Sequence, residues 1–297
     1  MLQAKTEKGN MIILSQYTLQ EINVMRKHQR FYCPVCHEQV MIKAGSKVIP
    51  HFAHYSKSNC PSNHGEGPYH EKGKFFIYNW LSSQKLQVAL EPFLKETNQF
   101  PDIFLTYQQR YFAIEYQCAR LDFNLIYQRH MGYLEQDIIP IWILGANQFN
   151  RLGRNYLHVN GFIQQFIHQF AAHLPLSLYF FCPETLQLVP FKDLYFTRSQ
   201  TAIGSFQFRK LYELRFRDLF ISHELPKTVL YRLWEKEKQK FRMLSRPFIN
   251  NKEREWQQWL YSKNIPIQHL PSLVYLPVPS QYLMKSSANS MLSLLSL

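Results

Sequence analysis

The chain has 297 residues, with 34 Lys and Arg against 21 Asp and Glu, and a formal net charge of +13. Hydrophobic residues make up 46% of it and charged residues 19%, which excludes a mainly disordered chain, and its length excludes a miniprotein held together by disulfides. The surplus of positive charge favours a polyanionic partner, either nucleic acid or an anionic membrane, although a basic protein without such a partner has the same balance.

Apolar segments and cysteines indicate the compartment. The longest apolar stretches, such as Ile138–Leu144 and Leu174–Cys182, are much shorter than the ~20 residues of a membrane-spanning helix, and the N-terminus has no apolar run of signal-peptide type. The five cysteines are an odd number, and two of them form a Cys-x2-Cys pair, which favours a metal site over disulfides. We therefore expect a cytoplasmic protein without a membrane anchor.

Residues 1–62 are predicted to form a β module with a zinc site. Cys33 and Cys36 form a Cys-x2-Cys turn, and a strand–turn–strand segment then brings His51 and His54 back to them. Two thiolates and two imidazoles can close a tetrahedral Zn²⁺ site of the structural kind, and Cys60 is an alternative ligand. We rank Cys33 and Cys36 first, then His51, then either His54 or Cys60. The alternative interpretation is a pair of buried thiols and a pair of surface histidines.

The predicted elements change after this module. A polar loop at residues 56–68, with Gly and Pro, marks the first domain boundary. Hydrophobic periodicity then predicts a helix, three strands, a helix and a buried strand, at Tyr69–Ser83, Leu86–Leu94, Asp102–Tyr107, Tyr111–Cys118, Leu121–Glu135 and Ile138–Leu144. This α-β-β-β-α-β order predicts an α/β domain at residues 63–150.

Residues 151–297 are predicted to form a third domain, mixed α/β to helical. Helices are expected at Asn160–Ala172, Lys227–Ser245 and Asn251–Ser262, and a strand hairpin around residues 182–185. Aromatic and basic residues interleave at Phe206–Lys210 and at Phe216-Arg217. Such residues can stack bases and neutralise phosphates, but more often they form strands with aromatics inside and charge outside.

Carboxylates in the α/β domain stand where a metal-dependent nuclease needs them. Asp102 opens one predicted strand and Glu115 lies near the end of the next, so antiparallel pairing would bring them together. Strand alternation puts Gln117 on the same face as Glu115. Two adjacent carboxylates can hold a hard divalent ion such as Mg²⁺, although either fragment alone is common in structural contexts.

The helix that precedes these strands offers further candidates. Glu66, His70 and Lys74 follow one another at intervals of four residues and therefore share a face if the helix starts early enough. Glu66 could add a metal ligand or orient a water molecule. His70 or Lys74 could supply a proton or a positive charge. The alternative is a surface histidine and a solvated lysine.

Taken in order, these motifs resemble the competence protein CoiA family. The resemblance is carried by Cys-Pro-Val-Cys, His-Phe-Ala-His, the series Glu66, His70 and Lys74, Pro-Asp102, and Glu115-x-Gln117, and it is strongest over residues 30–145. It implies an α/β (α+β) fold with a restriction-endonuclease-like core of the PD-(D/E)xK type. A zinc-ribbon-like β module precedes this core, and a mixed, largely helical region follows it. The resemblance also implies a role in natural transformation, where imported single-stranded DNA is processed or recombined alongside the recombinase RecA and other competence proteins.

The chain departs from the nuclease motif at Gln117, where the motif has lysine. Some nucleases of this superfamily take the lysine from the core helix, and Lys74 stands where that is possible. We therefore predict a metal-dependent deoxyribonuclease in which Asp102 and Glu115 hold Mg²⁺ or Mn²⁺. The first alternative is a DNA-binding recombination mediator that keeps the nuclease fold without efficient cutting. The second is a protein-interaction adaptor in which the basic charge is incidental.

Overall fold

The computed structural model describes residues 1–45, 48–55, 60, 67–198, 200–243 and 251–270. The chain divides into two compact units, each built from several segments. The first comprises Met1–Gln148, Tyr179–Val189 and Phe208–Leu219, and the second comprises Phe149–Leu178, Pro190–Gln207 and Phe220–Leu297. The finer division at residues 62 and 150 stays a prediction.

The first unit begins with an antiparallel sheet of five strands. The strands are β1 (Gln3–Thr6), β2 (Met11–Ile13), β3 (Phe31–Tyr32), β4 (Gln39–Gly45) and β5 (Val48–His54), paired in the order β2-β1-β3-β4-β5. The buried residues of this β module include Ala4, Leu14, Phe31 and Phe52. These side chains form a core of their own and hold the β module together.

Helix α1 (Leu19–His28) lies within this module and was not predicted. It begins at a capping box, in which Thr18 and Glu21 each accept a hydrogen bond from the other's backbone N–H. Ile22 and Met25 are its buried residues. The Thr-x-x-Glu signal before two apolar residues spaced by three would have identified the helix.

The nuclease-like core follows in the first unit and has the predicted α-β-β-β-α-β order. Its elements are α2 (Pro68–Ser82), β6 (Gln87–Leu90), β7 (Ile103–Tyr107), β8 (Arg110–Gln117), α3 (Phe123–Leu134) and β9 (Ile138–Gly145). Strands β6, β7 and β8 form an antiparallel meander, and β9 pairs parallel to β8. The fold class is therefore confirmed.

Further strands extend this core. Strand β12 (Ser177–Cys182) pairs parallel to β9 through Phe180 and Phe181, and β13 (Gln187–Arg198) pairs with β15 (Arg209–Lys210) through Gln187 and Leu188. Strand β9 lies between β8 and β12 in this sheet, and its last six residues are buried. This position explains why β9 is a nearly continuous apolar run.

The second unit contains strands that were not predicted individually. Strands β10 (Arg151–Gly153), β11 (Tyr156–His158) and β14 (Thr201–Phe206) pair antiparallel, and β14 also pairs with the later part of β13. Short strands carry too little periodicity to be recognised in the sequence.

The helices of the second unit match the prediction in part. The expected helix at residues 160–172 is only α4 (Gly161–Gln164), because the chain leaves it to form an isolated bridge between His168 and Ser177. Helices α5 (Lys227–Met243) and α6 (Asn251–Ser262) are close to their predicted positions, although the expected end of α5 at Ser245 lies outside the described residues. None of the helices in the described ranges has both the length and the apolar character that a membrane crossing requires.

Candidate active site and metal centre

The candidate active site lies where helix α2 packs closely on strand β8. Gly73 permits this approach, because a Cβ atom there would lie 1.9 Å from Cε1 of Tyr116. The ring of His70 stacks on that of Tyr116 with 5.5 Å between centroids, and the Tyr116 hydroxyl donates a hydrogen bond to the Phe181 carbonyl over 3.1 Å. This packing positions one face of α2 next to Asp102.

Three of the predicted residues, Asp102, His70 and Lys74, lie together. The backbone N–H of Tyr116 donates to Oδ2 of Asp102 over 2.8 Å, and Nε2 of His70 lies 3.4 Å from the same oxygen. Nζ of Lys74 lies 3.8 Å from Oδ1 of Asp102. Asp102 is thus oriented by a backbone donor and faces two groups that can carry positive charge.

Lys74 is buried among carboxylates. Its side chain is 1% exposed, and Nζ lies 2.5 Å from Glu91 and 3.7 Å from Glu71, in addition to its contact with Asp102. A buried ammonium group is costly unless it is paired, so these carboxylates hold it in place.

Glu71 and Glu91 were not among the predicted site residues. Glu71 stands three positions before Lys74 on α2, so the two residues share one face of the helix. This spacing is visible in the sequence and could have identified Glu71 as a site residue. Glu91 follows β6 and reaches Asp102 through the backbone, its N–H donating to the Asp102 carbonyl over 3.0 Å. Glu91 and Asp102 are adjacent only because of the fold. Oε2 of Glu71 is buried and accepts no hydrogen bond from the described residues.

Glu115 contacts helix α3 rather than α2. Both of its oxygens lie 2.6 Å from the Arg129 guanidinium, and the hydroxyl of Tyr133 donates to Oε1. Burial and the nearby charge of Asp102 raise the pKa of Glu115 to about 7, although Arg129 opposes the shift. That Asp102 and Glu115 together hold an ion stays a prediction, and the side-chain contacts of Asp102 go to α2 while those of Glu115 go to α3.

Of the remaining predicted residues, Gln117 makes its side-chain hydrogen bond outside this cluster. Gln117 is 9% exposed, and its Nε2 donates to the Ala119 carbonyl over 2.5 Å. An amide held in this way supplies no positive charge. Glu66 lies outside the described residues.

A pocket of about 480 Å³ reaches the cluster from its Glu91 side. Glu91 is 16% exposed and lines this pocket together with Tyr78, Phe93 and Phe100. The rings of Phe93 and Phe100 are stacked with 4.7 Å between centroids. Through Glu91, the buried charges around Lys74 border this pocket.

A second polar cluster lies in the β module. The ligand atoms of Cys33, Cys36, His54 and Cys60 all lie within 4.8 Å of one another, and they form the one such group of three or more His, Cys, Asp or Glu in the described ranges. The Cys33 and Cys60 sulfurs are 3.7 Å apart, and the Cys36 sulfur is 3.3 Å from Nε2 of His54. A tetrahedron with Zn–S bonds of about 2.3 Å has an edge of about 3.8 Å, so the four residues can hold a metal ion and are consistent with zinc.

The ligand set differs from the predicted order of preference. Cys60, the alternative ligand, is in the group, whereas His51 is not, and Nδ1 of His51 instead lies 2.9 Å from the Ile49 carbonyl. His51 and His54 are three apart on β5, and an odd interval directs side chains to opposite faces of a strand. One histidine of the pair therefore faces the cysteines.

Burial shapes the protonation of these ligands. Burial, together with the thiols of Cys60 and Cys33, raises the pKa of the Cys36 thiol to about 12, and burial lowers the pKa of His54. A lowered pKa favours the neutral imidazole, which is the form that binds metals. The thiols become ligands by losing their protons when an ion binds.

Comparison with known proteins finds matches to most of the chain. Three family models match it, namely the N-terminal domain of competence protein CoiA at residues 14–63, its nuclease-like domain at residues 66–224 and its C-terminal domain at residues 229–290. Competence protein CoiA of Bacillus subtilis strain 168 is 30% identical over 266 residues, covering 89% of this chain and 70% of that protein. No solved structure gives a significant match. The nuclease-like domain suggests a nucleic acid ligand, and the chain belongs to the competence protein CoiA family.

Proposed function

We propose that the protein acts on incoming DNA during natural transformation and recombination by metal-dependent hydrolysis of phosphodiester bonds. Support comes from the family and from the nuclease-like domain match. The observation that carries the hydrolytic part is the contact between Lys74 and Asp102. Gln117 cannot supply the cation of the nuclease motif, and Lys74 provides one from the core helix.

The charge of the cluster favours a bound cation. Glu71, Glu91 and Asp102 contribute three carboxylates, against the ammonium of Lys74 and the α-amino group of Met1, which lies 2.9 Å from Glu71. With all of these groups ionised, one negative charge is left in a largely buried place. Attraction for a cation is stronger there than in bulk water.

Asp102 and Glu115 are the residues that we propose to hold Mg²⁺ or Mn²⁺, with Glu66 as a further candidate. A divalent ion lowers the pKa of a bound water molecule and offsets charge at the phosphate. Asp102 fits this role because it belongs to the cluster in which carboxylates outnumber cations. Glu115 fits once Arg129 releases it, since both its oxygens contact the guanidinium. His70 is proposed to hold or transfer a proton at Nε2, the atom next to Asp102.

A second candidate function is a DNA-binding recombination mediator that does not cut. The pair of Glu115 with Arg129 favours it, because a carboxylate held by a guanidinium on both oxygens is a poor metal ligand while the pair persists. Gln117 favours it as well. In this case the nuclease-like fold serves to bind DNA.

A nuclease assay with Mg²⁺ or Mn²⁺ separates the two functions. Single-stranded, duplex and branched DNA are the substrates, and wild type is compared with Asp102→Ala and Glu115→Ala, with DNA binding followed in parallel. Glu96→Ala, which removes an exposed carboxylate, is the matched control. Cutting that both site variants lose and the control keeps supports hydrolysis. Binding without cutting by wild type supports the mediator.

The remaining parts of the proposal concern structure and setting. We infer that Zn²⁺ bound by Cys33, Cys36, His54 and Cys60 is structural, because a site closed by four protein ligands leaves no position for a substrate. The proposed place of action is the cytoplasm. Recombinase RecA and other competence proteins are the proposed partners, and this part rests on the family's expected role.

A further inference from the structure

A basic pocket lies at the C-terminal end of α2, in the same unit as the candidate active site. It has a volume of about 490 Å³, and its lining includes Lys85, Arg215 and Arg217 together with the rings of Tyr107 and Phe216. No lining residue in the described part of the chain is acidic. The proposed function assigns no role to these three cations.

The floor of the pocket is rigidly built. Phe216 is 1% exposed and meets the rings of Tyr107 and Phe112 edge-on, with centroids 5.3 Å and 5.1 Å away. The N–H of Phe216 donates to the Gln84 side chain over 2.9 Å, and the Trp80 indole donates to the carbonyl of the residue two before Phe216 over 2.7 Å. Because Phe216 is buried, the backbone on either side of it is fixed, and the side chains of Arg215 and Arg217 are exposed to solvent. The Phe216 ring therefore serves as the floor and cannot stack on a base.

The cations around this floor outnumber the nearby acid. Lys85 stands just beyond α2 with φ of 59°, and it is exposed, as are Arg215 and Arg217. The carboxylate of Asp218 contacts the segment from Arg215 to Arg217: it accepts a hydrogen bond from the Arg215 backbone over 2.8 Å and lies 3.9 Å from Nε of Arg217. Exposed Arg110 adds a further cation, because it pairs with Tyr107 across the β7–β8 hairpin.

We propose that this pocket binds backbone phosphates of nucleic acid, as a contact separate from the acidic cluster. Guanidinium groups donate in a fork that matches phosphate oxygens, and the half-buried ring of Tyr107 is available to a base. Asp102 directly precedes β7 and Tyr107 is its last residue, so the two lie about 16 Å apart along the strand. That is the rise of about five base pairs, so one DNA molecule can contact both places. The inference rests on the proposed function, since it takes nucleic acid as the ligand.

The test measures the salt dependence of DNA binding by fluorescence anisotropy, with a labelled 20-base-pair duplex, a matching single strand and no divalent metal. The pocket variant carries Lys85→Ala, Arg215→Ala and Arg217→Ala. A matched control removes the same charge from exposed positions elsewhere, with Arg154→Ala, Arg232→Ala and Lys236→Ala. A third variant with Arg215→Lys and Arg217→Lys keeps the charge, and circular dichroism verifies that every variant is folded.

The expected result is specific to the pocket. Removing one cation that binds a phosphate makes the slope of log K against log salt less negative by roughly 0.9. At 0.15 M salt this weakens duplex binding by about fivefold for each cation, so the triple pocket variant is expected to bind roughly 100-fold more weakly than wild type. The charge-keeping variant retains the wild-type slope.

If the pocket variant binds no more weakly than the control variant while wild type binds, the pocket proposal is wrong and the proposed function stands. Absence of salt-dependent DNA binding by wild type overturns both. If millimolar inorganic phosphate at constant ionic strength removes the difference between wild type and the pocket variant, the pocket is a free-anion site and the proposal is also overturned.

Discussion

Replacing Lys74 by methionine tests the buried charge cluster on which the proposed function depends. Methionine keeps most of the apolar volume of the lysine stem and removes the charge, so the change isolates the ammonium group. Lys74 is 1% exposed and contacts three carboxylates, the nearest being Glu91 at 2.5 Å. Without the lysine, these carboxylates remain in a site that is largely closed to water.

Removing one partner of a buried ion pair costs ~3–5 kcal/mol, because the other partner is left charged and unpaired. We expect Lys74→Met to lower the free energy of unfolding by ~3 kcal/mol, the low end of that range, since Glu91 keeps 16% exposure and can be partly hydrated. The same variant is expected to lose any DNA cleavage, because the remaining charges repel a phosphate.

Urea unfolding followed by tryptophan fluorescence measures this loss, since Trp80 and Trp142 are buried in the same unit. The double variant Lys74→Met with Glu91→Gln is the second measurement. It should be more stable than the sum of the two single changes implies, because the charge that Lys74 paired is also gone. A loss of less than about 1 kcal/mol for Lys74→Met, or simple additivity in the double variant, would refute the reasoning.

Three further predictions follow from the packing, the metal centre and the titration of the core. Gly73→Ala should destabilise the protein by ~1–2 kcal/mol despite the better helix propensity of alanine, because the new Cβ would overlap the buried tyrosine of β8. Gly132→Ala should not destabilise the protein, because its Cβ meets a glutamine side chain. Thermal melts compare the two variants. Zinc content measured by atomic absorption should fall for Cys60→Ser and stay unchanged for His51→Ala, and the opposite pattern would exclude the Cys3His site. The raised pKa of Glu115 means that its contribution to stability is present below pH 4.5 and lost as pH rises through about 7. The free energy of unfolding of wild type should therefore fall by ~3 kcal/mol over this interval relative to that of Glu115→Gln. Urea titrations at each pH measure this difference, and parallel pH profiles would contradict it.

Local patterns predicted the order of elements in the nuclease-like core. The periodicity of α2 and α3 and the apolar run of β9 are properties of short segments, so they can be recognised without knowing what packs against them. The same reasoning failed for residues 160–172, where an apolar helical pattern ends after four helical residues. There a strand-like bridge between His168 and Ser177 outweighs local preference.

The metal centre shows where such patterns stop being decisive. Cys33 and Cys36 were predictable as a pair, because a tight turn directs both sulfurs to one point. The choice between His51, His54 and Cys60 depends on which face of β5 points to that turn and on where the chain returns after it. Neither is visible in the spacing of the ligands.

The sequence by itself determined the family resemblance, the core order and the candidates Asp102, His70 and Lys74, since each is a residue type at a recognisable place in a local pattern. Only the tertiary structure decided which carboxylates surround Lys74 and that Glu115 is held by Arg129. Those outcomes depend on which helix covers each face of the sheet and on contacts between residues distant in sequence. Hydrophobic periodicity states that a face is buried, but it does not state against what.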